Sequence, residues 1–174
     1  MSDQTKEKKF YGKYKATVVI NTDPEFRGRL ICLIPDVLGP VPSTWCECCA
    51  PLAGATPMGV YMVPPIGAGV WVEFQLGDPD MPIWSGCRFA KGNVPPLALA
   101  GVPLLPNIVL QTAGQNAIVI SDLPGPTGGI MLKSALGATL IVNDTGIYIQ
   151  DGKGAMITLI GPTVNVNTGA LTVT

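Results

Sequence analysis

The densest cluster of residues that could bind a metal or act as nucleophiles in this chain is a cysteine-rich segment. Three of the five cysteines, Cys46, Cys48 and Cys49, follow Trp45, and the chain has no histidine. A metal clip of the Cys-x-x-Cys type needs a second pair of ligands further along the chain, and none follows. Histidine, the commonest metal ligand and general base, is missing altogether. We therefore expect reduced thiols, no metal site and no cofactor.

The carboxylates are the next candidates, as nucleophiles or as a general acid and base. Asp78 and Asp80 lie two residues apart, but in a Gly-Asp-Pro-Asp turn, where aspartate ordinarily shapes the backbone. Asp122 and Asp144 stand at equivalent positions of a repeat, which indicates corners of a fold. A catalytic site needs a nucleophile, acid or base held in place. Since no such set is found, we predict that the chain is not an enzyme.

The composition points to a surface that other subunits cover. Apolar residues make up 47% of the chain and charged residues only 13%, with a net charge of −1. A soluble monomer has to cover its surface with polar groups, and charge is scarce here. There is also no basic face to neutralise phosphates, so nucleic acid is not an expected partner.

The elements that position these residues begin with five short predicted strands. They are rich in β-branched and aromatic residues and are bounded by Asp-Pro and Pro-Asp turns. The strands are predicted at residues 15–20, 29–34, 44–49, 69–74 and 82–86. Five strands in about 80 residues suit a small barrel of the OB type, and we assign this barrel to residues 10–93.

The segments on either side of this barrel read as a tail and a connector. Residues 1–9 are polar and charged, with no apolar core like that of a secretory signal. Residues 94–106 are apolar but contain four prolines, which predicts an extended connector. No apolar run reaches the roughly 18 residues of a spanning helix, so we expect the chain to be made and assembled in the bacterial cytoplasm.

Residues 107–174 repeat. Apolar pairs at positions i and i+2 mark eight short strands, and the links between them combine polar residues with a glycine that allows a corner. The pairs are Ile108/Leu110, Ile118/Ile120, Ile130/Leu132, Leu140/Val142, Ile147/Ile149, Ile157/Leu159, Val164/Val166 and Leu171/Val173. This pattern predicts a β-helical needle.

One chain is too short to close such a needle by itself. Eight strands make fewer than three coils of a three-faced β-helix, and its open edges would invite other chains to pair with it. We therefore predict an intertwined triple-stranded β-helix, a homotrimer in which each face takes strands from different subunits. The predicted trimer core is Ile118, Ile120, Leu132, Leu140, Val142, Ile147, Ile149, Ile157, Leu159, Val164 and Val166.

The chain resembles phage baseplate protein V and the VgrG-type spikes of contractile injection systems. The matching segments of the barrel are 11–19, Asp23-Pro24, 27–30, Thr44-Trp45, 64–74 and 77–86, and the last of these is the most specific. The needle is similar in the style of its repeat. Together the two regions cover nearly the whole chain.

The resemblance implies a structural spike of a virion tail baseplate or an equivalent injection particle. Such a spike attaches through its OB domain to a trimeric hub and pierces the target-cell envelope when the sheath contracts. This chain departs from the family's pattern in having no fused hub domain, so a separate hub protein is expected. It also lacks a lysozyme-like insertion, and without histidine it cannot form the His-x-His iron site of some spike tips.

Two further expectations concern the needle's end and an alternative role. A tip-capping protein is expected to bind Leu171, Thr172, Val173 and Thr174, on a needle on the order of 40 Å long at roughly 4.8 Å per strand. The alternative is an OB-fold module that binds oligosaccharide or nucleic acid. Trp45, Trp71 and Trp84 could stack on such ligands, but their places within strands favour core or interface positions.

Overall fold

The computed structural model describes residues 8–173 and divides the chain into two compact units, Met1–Gly92 and Asn93–Thr174. Residues 1–7 of the predicted tail, and Thr174, lie outside the described residues. The described chain is built of strands, with two four-residue helices and three short 3-10 turns, and the all-β prediction is confirmed. In this part of the chain no helix has the length and apolar character needed to cross a membrane.

The first unit is a five-stranded sheet. Its strands are β1 (Tyr14–Ile20), β2 (Ile31–Leu33), β3 (Glu47–Cys48), β4 (Gly69–Phe74) and β5 (Pro82–Arg88), in the order β2-β1-β4-β5-β3. Neighbours pair antiparallel except β3 and β5, which are parallel. A one-turn helix, α1 (Pro35–Leu38), follows β2.

Backbone hydrogen bonds bring the two edges of this sheet together. Leu30, just before β2, exchanges hydrogen bonds with Cys46, just before β3: Leu30 N donates to Cys46 O at 3.2 Å and Cys46 N to Leu30 O at 2.7 Å. Register shifts in β1 and between β4 and β5 mark bulges, which bend strands. The sheet is therefore curled into the small barrel that the OB prediction required.

Alternate residues of the strands fill the barrel, as the period of two demands. Val70, Val72 and Phe74 of β4 point inward with Ala16 and Val18 of β1. Trp84 is also buried there, and its indole N–H donates to Gly28 O at 3.0 Å. Strand β4 has the predicted bounds. Strands β2 and β3 are shorter than predicted, because part of each predicted segment forms the isolated Leu30–Cys46 bridge or a turn instead.

The second unit is an eight-stranded antiparallel sheet in strict sequence order. Its strands are β6 (Ile108–Gln111), β7 (Ala117–Ser121), β8 (Gly129–Lys133), β9 (Thr139–Asn143), β10 (Gly146–Gln150), β11 (Met156–Ile160), β12 (Thr163–Val166) and β13 (Leu171–Val173). Each of the eight predicted apolar pairs falls in one of them. The eight-strand prediction is confirmed.

The strands of the second unit pair within one chain. All eight pair with their chain neighbours in one sheet, and the predicted intertwining of three subunits stays a prediction. The physical reason for the pairing is the short connections, since an antiparallel partner can be reached through a tight turn whereas a parallel one needs a long crossover. One chain therefore supplies one continuous sheet.

The predicted connector, residues 94–106, is not extended throughout. Residues Pro96–Leu99 form a single helical turn, α2. Proline is tolerated in the first turn of a helix, where its missing N–H has no partner to lose. The Asn107 side chain donates to Leu97 O at 2.8 Å and so fastens this turn to the start of β6.

Candidate assembly surface

The apolar pairs of the repeat lie in register and form two columns on one face of the eight-stranded sheet. Ile118 is opposite Leu110 on one side and Leu132 on the other, while Ile120 is opposite Ile108 and Ile130. The same register continues to β13. We call this set the apolar face: Ile108, Leu110, Ile118, Ile120, Ile130, Leu132, Leu140, Val142, Ile147, Ile149, Ile157, Leu159, Val164, Val166, Leu171 and Val173.

The structure brings all eleven predicted core residues together on the apolar face. It adds Ile108, Leu110 and Ile130, which the predicted core left out although they belong to the same repeat. Leu171 and Val173, predicted to bind a tip protein, extend the same two columns at β13. The missed residues carried the same i, i+2 signal as the rest.

The apolar face is largely exposed in the single protomer. Twelve of its sixteen side chains are exposed, among them Ile118 at 42% and Ile149 at 44%. Monomeric soluble proteins rarely leave a contiguous apolar surface of this kind in water, and such surfaces mark interaction sites. A further layer of protein has to cover these columns.

The opposite face of the sheet changes character along the chain. Its middle column reads Val109, Val119, Met131 and Ile141, and then Tyr148, Thr158 and Asn165. Val119 is buried in the protomer. Toward the C-terminal strands this face therefore carries polar groups, and Asn165 Oδ1 is buried without a hydrogen-bond partner in the protomer. Only the apolar face stays apolar through all eight strands.

Polar side chains tie neighbouring corners together. Asn116 Oδ1 accepts from Ala135 N at 3.1 Å, Asp144 Oδ2 from Gly125 N at 3.1 Å, and Asn167 Oδ1 from Met156 N at 2.9 Å. The predicted corner role of Asp144 is thus confirmed, and Asp122 lies exposed in the corner between β7 and β8. These links stiffen the sheet along its length.

The candidate chemical residues of the first unit have structural roles. Asp78 Oδ1 accepts from Asp80 N at 3.0 Å, which is the predicted turn function. All five cysteines are free, and Cys32 and Cys46 are buried. The hydrogen bond with Cys46, together with burial, raises the pKa of the Cys32 thiol, so this thiol is a poor nucleophile. Among residues 8–173, no group of three or more cysteines and carboxylates is placed to hold a metal.

The tryptophans do not form an open stacking platform. Trp84 lies in the core, and the Arg29 guanidinium lies 5.4 Å from the centre of the Trp45 ring. An OB-fold module for single-stranded nucleic acid or sugar needs free aromatic faces in a basic groove. The alternative binding role is therefore not favoured.

Two family models match the chain. The model described as the type VI secretion system/phage-baseplate injector OB domain matches residues 14–89, which contain β1 to β5. The model described as the phage baseplate V C-terminal trimerisation domain matches residues 107–172, which carry the whole apolar face except Val173. The chain belongs to the baseplate protein V/VgrG-type family. No curated protein matches it.

Family membership gives the oligomeric state of this baseplate protein. Its second unit is a trimerisation domain, so the chain forms a homotrimer. The family's domains are structural components of an injector baseplate. The predicted family, OB fold and homotrimer are confirmed, whereas the assignment of individual residues to the trimer core stays a prediction.

Proposed function

We propose that this chain is the central spike of a contractile injection apparatus. Three second units pack their apolar faces around a common axis to form the needle, and the OB units attach to a trimeric hub protein. Sheath contraction then drives the needle into the target-cell envelope. The observation that carries the proposal is the exposed apolar face, two residues wide and eight strands long, within a trimerisation domain.

The energetics favour an interior position for this face. Covering the exposed part of each Ile, Leu or Val side chain contributes on the order of 1 kcal/mol. Three copies of twelve such residues make an association that competes well with the entropy of bringing three chains together. The segment from residue 107 onward contains only five charged residues, Asp122, Lys133, Asp144, Asp151 and Lys153, which leaves few groups to oppose burial.

The needle's dimensions suit mechanical work on an envelope. Eight strands at roughly 4.8 Å each stack to about 40 Å. This is comparable to a bilayer with its headgroups, about 40–45 Å thick. A rod of hydrogen-bonded strands, linked at its corners by side-chain hydrogen bonds, transmits an axial load and needs no catalytic group. We therefore propose a purely mechanical, non-enzymatic role.

We further propose that a tip-capping protein binds the C-terminal end of the needle. Strand β13 lies at one edge of the described sheet, and its Leu171 and Val173 are exposed. An unpaired edge offers backbone groups for a partner. The proposed site also includes Thr172 and Thr174, and Thr174 lies outside the described residues.

Native mass spectrometry of the purified full chain tests the core of this proposal. We expect a mass of three chains that persists in mild denaturant, because the apolar faces cannot separate without exposing the needle core. A mass of one or two chains contradicts the trimeric spike. Electron cryomicroscopy of the assembled particle then locates the chain, with density on the tube axis beneath the hub as the expected result.

A further inference from the structure

Two side chains of the OB unit combine exposure with an unfavourable backbone. Phe26 and Leu76 are each 82% exposed, more than any other large apolar side chain described in that unit. They are also the unit's only described non-glycine residues with positive φ, at 55° and 53°. Left-handed backbone is unfavourable for a side chain with a Cβ, and it persists only where the surroundings impose it. Strain of this kind is concentrated at functional sites.

The loop that carries Phe26 is held rigidly. The Asp23 carboxylate accepts the backbone N–H groups of Glu25 at 3.0 Å, Arg27 at 2.9 Å and Arg29 at 3.2 Å. Phe26 N itself donates to Asp23 O at 3.0 Å. The aromatic ring is therefore presented to solvent by a loop with little freedom to fold it back.

The turn that carries Leu76 is built in the same way. Gln75 N donates to Met81 O, and Asp78 N to Gln75 O, each at 3.0 Å. Phe10 N donates to Gly77 O at 2.9 Å, so the segment before β1 also holds the turn in place. Two rigid loops thus each present one large apolar side chain, and rigidity lowers the entropic cost of binding.

A cavity of about 180 Å³ lies between the Leu76 turn and β3. It is lined by Trp45, Glu47, Gln75, Asp80, Met81, Pro82 and Ile83. On one side the Phe26 loop reaches it through Arg27 Nη2, which donates to Glu47 Oε2 at 2.9 Å. On the other side Gln75 and Met81 belong to the Leu76 turn. Two carboxylates line the cavity. Because Glu47 is already paired with Arg27, Asp80 is the carboxylate that makes the cavity complementary to a basic side chain.

We propose that Phe26, Leu76 and this cavity form the docking face of the OB unit for the hub. An arginine or lysine side chain of the hub enters the cavity and pairs with Asp80. Phe26 and Leu76 insert into apolar depressions beside it as anchors, the role that buried aromatic and aliphatic residues take at interface centres. This inference rests on the hub attachment proposed above.

Glycine substitutions separate docking from folding. Glycine adopts positive φ without strain, so the double variant F26G/L76G keeps or raises the melting temperature and the three-chain native mass. The same variant loses docking. We would express it in cells whose own copy of the gene is deleted, purify the injection particles, and quantify spike chains per particle by mass spectrometry. We expect a loss of about tenfold or more. I66G, which removes another exposed apolar side chain of this unit, is the matched control and incorporates normally.

The charge of the cavity is tested in the same assay. D80K places a cation where the hub's basic side chain is proposed to lie, and we expect a loss of similar size with the trimer intact. Wild-type levels of F26G/L76G and D80K in particles overturn the docking face while leaving the spike function standing. If wild-type chain itself is absent from particles, hub attachment fails instead. Loss of the three-chain mass in F26G/L76G assigns the face to a second copy of this chain and overturns the hub as its occupant.

Discussion

Arg29 and Asp23 form a buried, bidentate ion pair in the OB unit. Arg29 Nε donates to Asp23 Oδ2 at 3.1 Å and Arg29 Nη2 to Asp23 Oδ1 at 2.7 Å. The same carboxylate accepts three backbone N–H groups of the loop that carries Phe26. One side chain thus fixes both the buried cation and the shape of an exposed loop.

Removing the charge of Asp23 is expected to destabilise the OB unit. D23N retains one acceptor oxygen but, among residues 8–173, leaves the buried Arg29 with only the exposed Glu25 as an anionic partner. A buried cation that loses its partner is costly, so the melting temperature of this unit falls. D36N, the same change at an exposed position of α1, serves as the control. Equal melting temperatures for the two variants in differential scanning calorimetry would show that the pair is dispensable.

Both units are expected to become less stable as the pH falls into the acid range. Hydrogen bonds from Arg29 hold the pKa of Asp23 well below its usual value, and backbone N–H groups of Lys153, Ala155 and Gly154 lower that of Asp151. A carboxyl with a depressed folded-state pKa contributes stability that is complete above its unfolded value of about 3.9 and is lost as pH falls below it. Thermal melts between pH 3 and pH 7 should decline at the acid end. The D23N variant should show a flatter profile in the OB transition, and an unchanged slope would contradict this assignment.

A charge on the apolar face is expected to prevent assembly. I149D would bury three like charges near one axis, at a cost of several kcal/mol per ion. Ile149 lies opposite Leu140 and Ile157 in the columns, whereas its neighbour Gln150 is on the other face. Q150D should therefore form normal trimers. Soluble I149D trimers with an unchanged melting temperature, measured by native mass spectrometry and circular dichroism, would place this column outside the core.

Corner glycines are expected to differ sharply in their tolerance of alanine. A Cβ at Gly129 would lie 2.0 Å from Val142 O, a backbone atom that cannot move aside, whereas a Cβ at Gly161 has nothing within 4 Å. Both residues have positive φ, at 84° and 55°, so the backbone penalty is shared. G129A should lower the unfolding temperature of the needle far more than G161A. Similar melting curves would mean that the sheet relaxes at the β8 corner.

The first unit is expected to fold without trimerising. Residues 1–92 contain the whole barrel core, whereas the apolar face lies entirely in the second unit. The fragment should give a cooperative thermal transition and, in analytical ultracentrifugation, the mass of one chain. Trimers as tight as those of the full chain would move the assembly determinant into the barrel.

The sequence by itself determined which segments are strands and where the corners fall. Period-two apolar pairs such as Ile147/Ile149, and the β-branched and aromatic run from Gly69 to Phe74, encode a half-buried extended backbone locally. A glycine or Asp-Pro turn between such runs ends each strand for equally local reasons. These features need no knowledge of distant partners, so eight needle strands, the barrel strands and the family could all be recognised.

Only the tertiary structure decided which strands pair and which side chains they leave uncovered. The pairing of Leu30 with Cys46 joins segments 16 residues apart, and the curl that allows it comes from bulges without a sequence signature. No sequence pattern singled out Phe26 or Leu76, and it is the hydrogen bonds around Asp23 and Asp78 that expose both side chains to solvent. Side-chain type and spacing act through nearby atoms, whereas register, closure and exposure depend on hydrogen bonds between segments that meet only when the chain folds.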